Sequence, residues 1–447
     1  AGTSTIDTAG GVLNVLDADG TGVDGIATAG NALTLDGGAT GVITVSTLSG
    51  GGALTLTDSG STTFSGAVTA GATTLTDTTG TVSFEGDTTL ASLVTTTAGY
   101  GLSFTGASNT VGGATVLQNT GALVLGNEAT DSIEFTGGLD ARGTAGVDSP
   151  LTTSLAGTVA TQGGTGILLN DATLTAATTL DSTSAGAAAG GAVVTTGTLT
   201  GGSNTLTIDA GTAGVVTTSA FSGVDSFTLL DAASATFAAA SDATMVDLNL
   251  TTGGAITFNG LLTATTLTTD ADDTGVAGDA SFDLALNAGA AITNDTNFDN
   301  SGALTLGAAG LTSSFAGGLS TTGVGGTVTL NGTVASSNTQ MDLGAITLGS
   351  DVTLDTAGAT MNVGAVSSAA NRLALDGGET GAVTVASFAG DGDLTVTDSA
   401  TTTFTGTVAA DAITLTDSTT SVSFADTVTA SSLATAAQGY SVSLTGA

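Results

Sequence analysis

The chain of 447 residues sets 39 Asp and Glu against two cations, Arg142 and Arg372, for a formal net charge of −37, and it has no Cys, His, Trp or Lys. That balance excludes nucleic-acid binding, which needs clustered Lys and Arg, and attachment to an anionic membrane surface. The lack of Cys excludes disulfides and thiolate chemistry, and no apolar run approaches the roughly 20 residues that span a bilayer.

The composition is nevertheless not that of a disordered acidic chain. Hydrophobic residues make up 40% of it and charged residues only 9%, whereas disorder goes with few β-branched residues and low hydrophobicity. Small and medium aliphatics recur from end to end, which suits a long, narrow core.

In chain order, residues 1–30 read as the end of a module, with the short acidic pattern Asp17-Ala18-Asp19-Gly20. No basic n-region followed by an apolar stretch opens the chain at Ala1, so an export signal is expected to be removed or to lie outside this segment. From Asn31, apolar–polar–apolar triplets follow about every 10 residues: Leu33-Thr34-Leu35, Ile43-Thr44-Val45, Leu54-Thr55-Leu56 and Val82-Ser83-Phe84. Period-2 alternation predicts half-buried strands. The Gly, Asp, Asn, Ser and Thr between them predict turns.

Like residues return at a coarser spacing. Phe64, Phe84 and Phe104 are 20 apart, as are Leu284 and Leu304, Met341 and Met361, and Phe404, Phe424 and Leu444; Asp58 and Asp77 are 19 apart. Two strands per 20 residues, with like over like, predicts one coil of a parallel β-helix. Stacking such coils buries edges that none could bury alone. The fold class is therefore expected to be all-β, a parallel β-solenoid with coils of about 20 residues and no significant helix. The Gly/Ala run from Ser184 to Val194 reads as a loose turn or inserted loop.

A longer repeat overlies the coil. Residues 31–107 align without a gap to 371–447 at an offset of 340, with roughly half the positions identical and the only tyrosines, Tyr100 and Tyr440, in register. The expected organisation is one continuous solenoid over 1–447: the end of a module at 1–30, a full 340-residue module at 31–370, and the start of the next at 371–447. Continuation into further modules, or contact with another copy, follows as an expectation.

Catalytic chemistry has little to work with. Without His or Lys, general acid/base catalysis falls to carboxylates, and Ser-His-Asp and Ser-Lys arrangements are excluded. The densest acidic cluster, Asp270, Asp272 and Asp273, reads as a solvated turn before it reads as a glycosidase site, so no catalytic residue is assigned and no enzyme is expected. Calcium is the one cofactor considered, because hard cations take several oxygen ligands. Its weak candidates are Asp58, Asp77, Asp398 and Asp417, expected to stack in pairs on adjacent coils, and the Asp270, Asp272 and Asp273 cluster; Asp391-Gly392-Asp393 is a further short acidic pattern. Asx turns at strand ends are the simpler reading. Thr55-Leu56-Thr57, Thr74-Leu75-Thr76 and Thr414-Leu415-Thr416 would present paired hydroxyls, as on faces that bind ice or glycans, although β-propensity with a polar outer face is the simpler reading because the sets do not recur on every coil. Gly37-Gly38 and Gly377-Gly378 are expected to be turns, since no Lys and no helix follows to receive a phosphate.

These coils, rich in Gly, Thr, Ser, Ala and Val and nearly free of cations, resemble the shaft and passenger regions of large bacterial adhesins of the filamentous-haemagglutinin and autotransporter type. The resemblance covers the whole chain, is one of composition and architecture, and carries no site residues with it. It implies export to the cell surface and a structural or adhesive fibre. The expected partners are other copies, head-to-tail or lateral, and surface glycans. A flat-face binding module for glycan, ice or calcium is the alternative, and a polysaccharide-active β-helix enzyme a remote one.

Overall fold

A computed structural model describes residues 2–16, 24–142, 149–162, 164–183, 192–250, 253–269 and 282–446. It is an all-β parallel solenoid of about 18 turns with coils of about 21 residues, and no helix occurs among the described residues. It divides into two compact units, Ala1–Ala233 and Ser234–Ala447.

In the first unit a single coil can be followed from Leu54 to Ala70. The strand Leu54–Phe64 starts on one face, turns at Asp58 and continues on a second face; Val68–Thr78 opens a third. Three parallel ladders join this coil to the next. Leu54 and Leu56 pair with Thr73 and Leu75, Thr62 and Phe64 with Val82 and Phe84, and Val68 and Ala70 with Thr88 and Leu90. Alternation along each strand sends Leu54, Leu56, Phe64, Leu75 and Phe84 inward to near-zero exposure. In-register stacking then sets like on like in the core. The Phe84 ring lies 4.9 Å from that of Phe104, 7° from parallel, and in the second unit Phe404 and Phe424 are 4.8 Å apart at 4°. Offset stacking of this kind adds to what area burial alone gives.

Beneath the 340-residue repeat lies a shorter one that the register brings out. Asn31, Asn204 and Asn371 open three equivalent stretches at offsets of 173 and 167. In each, the backbone N–H of the Asn donates to the carbonyl three residues back, at 2.9, 2.9 and 2.8 Å. Asp36, Asp209 and Asp376 then accept from the N–H of Gly38, Gly211 and Gly378. Those glycines share a positive φ of 69°, 70° and 67°, a conformation that costs a side-chain-bearing residue far more than Gly. The 340-residue module is thus a pair of half-modules.

The half-module does not hold a whole number of coils, so its faces change place. In the first unit the third-face ladder runs from Val68 through Thr88, Asn109, Ile133, Val159 and Leu180 to Ile208. Ile208 is the half-module equivalent of Leu35, which lies on the first face. The second-face ladder runs from Val82 through Leu102, Leu123, Thr153, Ala172 and Leu199 to Phe221. Phe221 is the equivalent of Leu48, which pairs with Val68 on the third face. Each successive half-module is turned by one face within the same unit. In the second unit the ladder Thr263, Ala291, Ser314, Ala335, Asp355, Asp376 makes the same change from third face to first.

Candidate functional site

The chemistry-bearing residues gather at the corners between faces. The register pairs Asp58 with Asp77 and Asp398 with Asp417, as the 19-residue spacing predicts. Each pair belongs to a longer column. Asp7 pairs with Asp36 and Asp36 with Asp58, giving four rungs, Asp7, Asp36, Asp58 and Asp77. The second unit repeats the arrangement with Asp355, Asp376, Asp398 and Asp417. A third column begins with Asp181 paired to Asp209 and has Asp231 as an acting neighbour of Asp209. It lies on the ladder that continues Thr69, Thr89, Thr110, Glu134 and Ala160, so in the first unit two acidic columns occupy different edges.

Sequence reasoning found two rungs of each four-rung column and missed Asp7, Asp36, Asp355 and Asp376, together with the whole Asp181 column. The signal was present in the three Asp-Gly-Gly or Asp-Ala-Gly stretches at Asp36, Asp209 and Asp376. Their spacing of 22 to the next rung, where Asp58 to Asp77 and Asp398 to Asp417 are 19 apart, obscures the column.

Most outer rungs form Asx turns. Asp7, Asp181 and Asp355 accept from the N–H two residues on, at 2.7, 2.7 and 2.9 Å, as do Asp36, Asp209 and Asp376. Asp58 and Asp398 differ. In each, Oδ1 is closed off from water and no protein group donates to it. Burial, and then the charge of Asp355, hold the Asp376 carboxyl above its ordinary value. Asp398 is raised by burial first, then by Asp376, Asp417 and Glu379, against the Ser399 backbone N–H, which lowers it. Asp209 is raised by burial and by Asp181 and Asp231, against the Gly211 N–H, which lowers it.

Among the described residues no group of three or more acidic side chains converges as a metal cage. The columns bring carboxylates together one rung at a time, whereas calcium takes 6–8 oxygens. Asp270, Asp272 and Asp273, like Asp17 and Asp19, lie outside the described residues.

The Thr-x-Thr sets stack as expected, Thr55 on Thr74, but in two of the three sets the second hydroxyl turns to the neighbouring coil. Thr76 donates to the carbonyls of Leu56 (2.8 Å) and Thr57 (2.5 Å), and Thr416 to those of Val396 (3.0 Å) and Thr397 (2.5 Å). In those two sets one row therefore serves the backbone instead of facing a ligand. Gly37-Gly38 and Gly377-Gly378 sit at the corner after the first face, as expected. The described grooves offer little chemistry. One of about 440 Å³ in the second unit, floored by Ala345, Thr347, Ala365 and Ser367, has no titratable side chain. Another of about 390 Å³ in the first unit holds Asp171, whose Oδ1 accepts from the Thr198 N–H. Arg142 makes a two-point pair with Asp140, at 3.2 and 3.1 Å.

No known family matches the chain, and neither a curated protein nor a solved structure matches it.

Proposed function

We propose that this chain is a segment of an extracellular structural or adhesive fibre, a non-catalytic shaft of the kind found in large bacterial surface adhesins. The observation that carries the reading is the repeat of the half-module through a parallel solenoid. Repetition at this scale multiplies length and surface, and gives no position the singular geometry of an active site. The shallow grooves and the Thr hydroxyls engaged with the backbone support it over a catalytic or flat-face binding role.

The partner in this reading is another coil of the same repeat. Leu102 and Phe104 are fully buried, beneath the pairing strand Ala122–Leu125. A second copy of the repeat would add by the same parallel strand pairing. Sedimentation of the chain across a wide concentration range, with electron microscopy of the products, tests this. Oligomers are expected. A species that stays monomeric at every concentration would reject the assembly reading.

A further inference from the structure

The aspartate columns are an unusual way to build a corner. Parallel in-register pairing sets successive rungs about 4.8 Å apart, and carboxylates that close repel when both are ionised. Neither arginine is among the groups acting on the raised carboxyls, so no cation of the chain offsets them. The charged groups facing Asp398 are all acidic: Asp376 from the strand Leu373–Asp376, Asp417 from Val408–Phe424, and Glu379 from the turn after Asp376; the Ser399 backbone N–H acts against them. Asp376 faces Asp355 and pairs with Asp398. Asp209 faces Asp181 and Asp231.

The rungs are also unequal. Asp355 and Asp376 each have Oδ1 tied to a backbone N–H. The next rung, Asp398, holds an Oδ1 that neither water nor a protein donor reaches. The same inequality recurs 340 residues away, with Asp7 and Asp36 tied and Asp58 Oδ1 sealed. An acceptor sealed beside another carboxylate has one inexpensive solution, a proton held between them as an O–H···O bond, which is short and strong for a charged acceptor.

We propose that Asp376 and Asp398 form a proton-operated fastener between coils: a proton taken from solvent sits between the two carboxylates, one donating its O–H to an oxygen of the other, and its loss sets like charges one rung apart. The fastener closes as pH falls and loosens as pH rises. The direction follows from linkage. Carboxyls held above their ordinary value contribute stability that is complete below that value, about 3.9 for Asp, and is lost as pH rises through the value in the folded chain. Acid therefore tightens these corners, the reverse of a carboxylate held by a cation.

The test compares thermal melts of the native chain, of Asp376→Asn with Asp398→Asn, and of a control, Glu85→Gln with Glu128→Gln. The control removes the same charge from two exposed side chains outside the columns. Asn keeps the Oδ1 acceptor of the Asx turn and discards the titration. The native chain and the control should both gain melting temperature as pH falls from neutral toward the ordinary carboxylate range. The column variant should melt higher than the control at neutral pH and gain less on acidification. An equal response in column variant and control would overturn the proposal, because net charge alone would then account for the acid effect. Should the column variant fail to fold, infrared spectra of the native chain decide. The protonated-carboxyl band should persist to higher pH in the folded chain than in the denatured one, and its loss over the same pH range in both overturns the proposal.

Discussion

The ring of Phe84 stacks on that of Phe64 with centroids 5.1 Å apart and planes 4° from parallel. Phe104 closes the other side of Phe84, so its ring is held on both faces and is fully buried. Removing it leaves a cavity between coils that cannot collapse, because the ladders fix their spacing. Phe84→Ala should cost about 3–5 kcal/mol and Phe84→Leu under about 1.5 kcal/mol. Denaturant midpoints at constant slope measure both, and similar losses for the two would show that the stacked ring, and not the filled volume, holds this position.

Two glycines separate conformational cost from steric cost. Gly51 has φ +68° and open space where a Cβ would stand; Gly378 has φ +67°, but its Cβ would lie 2.7 Å from the Gly358 backbone nitrogen. Gly51→Ala is expected to cost about 1–2 kcal/mol, the left-handed conformation alone. Gly378→Ala should cost about 1–3 kcal/mol more, as for overpacking. Equal losses in thermal unfolding would mean that the close approach of these coils is not maintained.

Tyr100 is buried, and its hydroxyl donates to the Leu75 carbonyl at 3.4 Å. Burial pushes its pKa up to about 12, against the hydrogen bonds that lower it. The stability this gives is complete below the ordinary value of about 10 and is lost as pH rises toward 12. Ultraviolet titration should show a phenol ionising near pH 12 in the folded chain, with unfolding beginning in the same range. Tyr100→Phe should abolish that late step and cost about 1 kcal/mol for the lost hydrogen bond.

The Thr hydroxyls divide into engaged and free. Thr76 donates to two carbonyls of the preceding coil, and Thr76→Val should cost about 1 kcal/mol. Thr55 makes no such bond, and Thr55→Val should stay within about 0.5 kcal/mol. If Thr55→Val proved the more damaging, the outward hydroxyl row would have a structural role that the hydrogen bonds do not show.

Much of the fold was legible in the residues. Triplets such as Leu54-Thr55-Leu56 give strands by alternation, and Phe64, Phe84 and Phe104 give the coil because stacked rungs ask for the same volume at the same place. The half-module was harder to see. Leu33, Leu206 and Leu373 keep its inward positions, but Leu54 faces Phe227 and Leu394 at another, since a core position requires only an apolar side chain of suitable size. Loops of uneven length between rungs, 21 residues from Thr88 to Asn109 and 24 from there to Ile133, blur the period further.

By itself the sequence determined that the chain is a β-solenoid with like residues stacked, that histidine and lysine chemistry is absent, and that Asp58 meets Asp77 and Asp398 meets Asp417. These follow from local alternation and from spacing, which a chain carries along its length. Only the tertiary structure decided that two of the columns have four rungs, that Asp58 and Asp398 each keep one oxygen sealed while their neighbours cap turns, that Thr76 bonds to the neighbouring coil, and that successive half-modules are turned by one face. Those outcomes depend on which coil lies over which, a register set by three ladders closing together around one core.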